Sequence, residues 1–267
     1  MNPHLLNPAG RLYEFMKHTW ESSQQEALSA SWRRYFDVES PTDHASFYGA
    51  LASVLKLPDQ IRERVAELAN PPVPRSQLLR GVDGAQALLK LANTVESVNI
   101  DGARQQFHQG TLTDLETCSH ILNNSLPALP DDKADEDAET TLDAIRRLAE
   151  EIISEVTASG SELPVEVARL LLDYASALIR AVDLFKITGV EGVVREFDGL
   201  VGALVSNPAA VSKISGIPAV WTRIVELSKE VVILGAAISV PLQIAIQGSA
   251  ALKAIEPLIA VVAHTSG

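Results

Sequence analysis

Residues 142–156 read LDAIRRLAEEIISEV, and the spacing of this stretch decides the fold class. Leu142, Ile145, Leu148, Ala149, Ile152, Ile153 and Val156 recur at intervals of three and four. That lays them along one face of a helix with 3.6 residues per turn. Arg146–Glu150 and Arg147–Glu151 then stand i,i+4 on the outer face, where such pairs add only tenths of a kcal/mol. A strand would need alternation of period two, and the stretch has none.

The grammar repeats on both sides. Downstream, a helix opening at Pro164 turns Ala168, Leu171, Leu172, Ala175, Leu178, Ile179 and Val182 inward, and Glu166, Arg169, Asp173, Ser176, Arg180 and Asp183 outward. Thr188-Gly189-Val190-Glu191 ends it and starts the next: Gly189 relieves the turn, and Thr188 and Glu191 have capping-box spacing. Upstream, Asn7-Pro8 reads as an N-cap with proline at the first helical position, predicting a helix to about Ser29. Ser40-Pro41-Thr42-Asp43 opens another, with Phe47, Ala50, Leu51, Val54 and Leu55 on one face. Pro58 reads as the start of a further helix to about Ala69, which the run Pro71-Pro72-Val73-Pro74 ends. Helices are expected over 76–96, 101–108 and 112–125, the last capped by Thr111 and Asp114. The whole reads as an all-α, multi-helix bundle.

Charge supplies the division of the chain. Its 267 residues carry a net charge of −12 at a pI near 4.9. Residues 127–139 hold six acids against one base, behind Pro127 and Pro130, with no large apolar side chain after Leu129. Such a segment has nothing to bury and reads as a linker. Two helical halves, 1–126 and 140–267, joined by an acidic linker are therefore expected. The acidic balance leaves no electrostatic footprint for nucleic acid. Cys118 is the single cysteine, which excludes an intrachain disulfide and fits a reducing, cytoplasmic setting. Met1–Trp20 interrupts any apolar run with proline, charge and histidine, so no signal peptide is expected.

No motif announces catalysis. Gly189, Gly192, Gly199 and Gly202 lie in a helical stretch without a preceding strand, so they read as helix-packing positions and not as a phosphate loop. The six histidines, at 4, 18, 44, 108, 120 and 264, form no His-Glu-x-x-His pair. Cys118 and His120 point about 200° apart on one helix and cannot share a proton directly. Neither cofactor nor metal is expected, and the chain reads as non-enzymatic. Eight of its 13 aromatic residues fall between Tyr13 and Tyr48; without a basic track beside them they read as core.

Two stretches resemble a group of proteins. Gly10-Arg11-Leu12-Tyr13-Glu14 followed by Trp32, and Ala181-Val182-Asp183-Leu184-Phe185-Lys186-Ile187 leading into Gly189-Val190-Glu191-Gly192, are similar to uncharacterised helical proteins of bacteria. The resemblance implies a bacterial cytoplasmic protein, with no activity or site residue attached.

The candidate functional segment is C-terminal. Val231–Leu252 is VVILGAAISVPLQIAIQGSAAL, 22 residues without a charge, and apolar sequence continues to residue 263. That exceeds the roughly 18 residues at which a transmembrane helix becomes conceivable. Pro241 and two amides oppose insertion, however. Ser239, Gln243 and Gln247 fall at i, i+4, i+8 as one polar stripe. Gly235 with Ser239 offers small-residue packing. The segment marked by Val231, Ile233, Gly235, Ser239, Pro241, Gln243, Ile244 and Gln247 is expected to meet a protein partner or a second copy of the chain. Insertion into a membrane by residues 231–263, in the manner of a pore-forming effector, is the alternative.

Overall fold

A computed structural model describes residues 2–125, 134–159 and 163–237, and these are helices joined by turns, an all-α multi-helix fold. The one β feature among the described residues is an isolated bridge, Ala27 to Asn99. Two compact units result: residues 2–125 with Lys186–Gly189, and residues 134–237 without those four. Residues 127–133 of the expected linker lie outside the described residues, and 134–139 belong to the helix that follows.

The N-terminal unit is built around α1 (Pro8–Glu21), which packs on α2 (Leu28–Tyr35), α3 (His44–Glu67), α6 (Ile100–Arg104) and α7 (Gln109–Asn124). α4 (Arg75–Leu78) and α5 (Arg80–Lys90) also lie against α7, and a 3-10 turn, Pro3–Leu6, rests on both α1 and α7. Asn7 caps α1 as expected, its Oδ1 accepting from Gly10 N–H at 3.0 Å. The helix stops at Glu21, however, and not near Ser29. The chain after Ser22 extends to exchange backbone bonds with Val98 and Ile100, and Arg104 donates to the carbonyls of Trp20 and Ser22. Tertiary bonds thus replace the helical ones there.

The third helix runs through a proline. Pro58 lies inside the 24-residue α3 rather than at a start. It removes one donor and costs about 3 kcal/mol locally. Burial of Leu57, Pro58, Ile61 and Val65 on one face offsets that. Asp43 caps α3 through Ser46 N–H at 3.0 Å. Phe47, Ala50, Leu51 and Val54 are buried, whereas Leu55 is 42% exposed. At the far end the Arg75 guanidinium donates to the carbonyls of Val65, Ala66 and Leu68, closing α3 after the proline run.

The early aromatics do form core. The Phe15 ring lies 5.0 Å from Trp32 and 5.8 Å from Phe36, and Trp32 Nε1–H donates to Thr19 Oγ1. Trp20 and Tyr35 are half-buried at its margin, and Tyr48 is 45% exposed.

In the C-terminal unit α8 (Ala134–Ser159) packs on α9 (Val165–Asp183) and on α12 (Pro218–Ala237), and α11 (Pro208–Ser215) lies on α12. Leu142, Ile145, Leu148, Ala149, Ile152 and Val156 are buried, and Ile153 half-buried. Arg147 pairs with Glu151 at 2.8 Å, but Arg146 reaches Asp183 of α9 instead of Glu150. The buried face of α9 is Val167, Leu171, Ala175, Leu178 and Ala181, rotated from the expected one; Ala168, Leu172, Ile179 and Val182 sit at its margin. Helix α10 (Phe185–Val205) is broken at Gly189, whose φ of 63° is the left-handed value that glycine adopts freely. Gly199 is a close-packing position, since a Cβ there would come within 2.8 Å of the Tyr174 ring; Gly202 faces open space.

Candidate functional site

Helix α7 carries the densest group of chemically capable side chains. His108 caps it, Nδ1 accepting from Thr111 N–H at 3.2 Å. Thr111, expected as the cap, is instead a buried contact: a Cβ at Gly84 of α5 would lie 2.7 Å from its Oγ1. Gly81 brings the same two helices together, for a Cβ there would meet Leu115 N at 2.7 Å. Close approach of α5 therefore fixes the rotation of α7. Leu115, Cys118, Ser119 and Leu122 face the core, and Glu116 and His120 face outward, one turn apart.

Cys118 is buried, and burial pushes its thiol up to about 12. His120 is exposed. The two diverge, as their spacing requires, so the thiol is an inert core group.

His120 meets a different neighbour. The Pro3–Leu6 turn brings His4 to it, ring centroids 5.3 Å apart. One ligand atom from each of His4, Glu116 and His120 lies within 4.8 Å of the others. His4 and Glu116 are half-buried. His4 Nδ1 is 3.2 Å from Ser119 Oγ, and its ring packs 4.8 Å from that of Tyr13. Tyr13 lies beside Glu116, and burial followed by that carboxylate's charge raises the phenol's pKa.

The turn that carries His4 is itself tightly held. Asn7 Nδ2 donates to Ser119 Oγ, Ser119 O and Asn123 Oδ1, at 3.0, 3.2 and 2.7 Å. Asn123 Nδ2 donates to Pro3 O at 3.0 Å, and His4 N–H to Asn2 Oδ1 at 3.0 Å. Glycine at position 10 permits the approach, because a Cβ there would stand 2.0 Å from His4 O. The sequence carries no metal motif here, and only part of this cluster shows in its spacing. Glu116 and His120 carry an i,i+4 signal, but His4 stands more than a hundred positions away.

Of the segment singled out in the sequence, Val231 is buried, Ile233 is 46% exposed, and Gly235 completes the described part of α12 with its two alanines. Ser239, Pro241, Gln243, Ile244 and Gln247 lie outside the described residues. Among the described residues no helix is long and apolar enough to cross a membrane.

Comparison with protein-family models, with curated proteins and with solved structures finds no match.

Proposed function

We propose that this chain is a non-enzymatic helical interaction protein whose C-terminal unit binds a second copy of itself or another protein. The observation that carries the reading is Ile233. It is 46% exposed on the last described turns of α12, at the start of the 22-residue charge-free run. Val165, 78% exposed, and Val205 add uncovered apolar surface to the same unit. Large exposed aliphatic groups beside a long uncharged stretch favour association, because burying them releases about 25 cal/mol per Å². The membrane-inserting reading of residues 231–263 has no described feature in its favour.

Size-exclusion chromatography with light scattering, together with a pull-down from the native host, tests the proposal. A concentration-dependent rise in mass, or a stoichiometric partner lost in Ile233→Asp, is expected. A strictly monomeric chain without a partner at micromolar concentration would overturn it, as would flotation of the folded chain with liposomes.

A further inference from the structure

We propose that His4, Glu116 and His120 form a binding site for one zinc-class divalent cation, which fastens the N-terminal 3-10 turn to α7. The site is independent of the association proposed above.

The donor set selects the cation. Two imidazoles and one carboxylate suit zinc and its first-row neighbours; magnesium and calcium prefer sites made wholly of oxygen. Three protein ligands leave a fourth position to water. The donors now lie within 4.8 Å of one another. A tetrahedral zinc with bonds of about 2.0 Å needs them about 3.3 Å apart. The contraction falls mostly to His120, which is exposed and can change rotamer without disturbing the core.

The surroundings have the form of an outer shell. Metal-binding histidines use their second ring nitrogen on a polar partner, and ligating carboxylates are themselves hydrogen-bonded. Ser119 Oγ stands against Nδ1 of His4, and the Tyr13 phenol lies beside Glu116. The turn carrying His4 is fixed before any ion arrives, by Asn7, Asn123 and the close approach at Gly10. This preorganisation sets the group apart from a chance meeting of surface side chains. Residues from the first turn and from α7 converge only because that turn is clamped.

Calorimetric titration of the tag-free full-length chain with zinc chloride tests the proposal. One equivalent should bind, with magnesium chloride giving no heat of binding. His120→Ala and Glu116→Gln should each weaken zinc affinity at least about tenfold, and His44→Ala, at an exposed histidine elsewhere, should leave it unchanged. Zinc should also slow amide exchange in residues 4–6 of the wild type and not of His120→Ala. Circular dichroism confirms that the variants fold, and His120→Ala removes only an exposed ring. Absence of saturable one-equivalent binding, unchanged affinity in His120→Ala, or loss of binding in His44→Ala would each overturn the assignment.

Discussion

Replacing Gly10 with alanine probes how the first turn is held. The new Cβ would stand 2.0 Å from His4 O and 2.6 Å from His4 C and Cα, all of them backbone atoms. Ordinary contact begins near 3.4 Å, so the turn must retreat by about 1.4 Å or α1 must deform. The turn is the softer element. A retreat of that size breaks the bonds from Asn123 to Pro3 O and from Arg11 to Leu5 O, and the contact of His4 with Ser119. At about 1 kcal/mol per hydrogen bond, three losses total roughly 3 kcal/mol. Alanine returns up to about 1 kcal/mol of helix propensity. Partial exposure of the broken bonds lowers the balance further, to a net loss of about 1–2 kcal/mol. For a unit of this size that lowers Tm by about 4–8 °C, read by thermal circular dichroism or calorimetry. Amide exchange in residues 4–6 should accelerate as the turn detaches. An unchanged Tm with unchanged exchange would refute the close approach of His4 to α1, and with it the clamp.

Leu148→Ala should destabilise the C-terminal unit by about 2–5 kcal/mol in urea titration, because Leu148 is buried on the helix that packs both α9 and α12; a loss under 1 kcal/mol would contradict that packing. Cys118 should resist thiol reagents in the native chain at pH 8 and react promptly in denaturant, since burial raises its thiol to about 12; rapid native labelling would refute its burial. The pKa of His18 is lowered by burial, which outweighs the opposing bond to Ser31 O. The unfolded chain therefore takes up its proton first, and this part of the stability is present above about pH 6.5 and lost as pH falls below it. Urea midpoints at pH 7.5 and 5 should show that loss reduced in His18→Gln; identical pH dependence in the two proteins would sink the assignment.

Features that depend on neighbours within a turn or two are legible in the chain's own residues. The face of residues 142–156, the cap at Asn7, the break at Gly189 and the all-α class all follow from 3.6-residue periodicity and from local donors and acceptors. Legibility ends where distant groups compete with local preference. Helix α1 ends early because backbone after Ser22 bonds to Val98 and Ile100, and α3 runs through Pro58 because its flanking face is buried. The cap of α7 moved from Thr111 to His108 once α5 claimed Thr111 through Gly84. The cluster of His4, Glu116 and His120 divides along the same line. Glu116 and His120 share a helix face, so their proximity is written in the spacing. His4 joins them only because Gly10 lacks a side chain and Asn7, Asn123 and Ser119 hold the first turn against α7. Local periodicity carries no record of which distant surfaces meet; tertiary packing sets that, and it alone brought His4 to the other two.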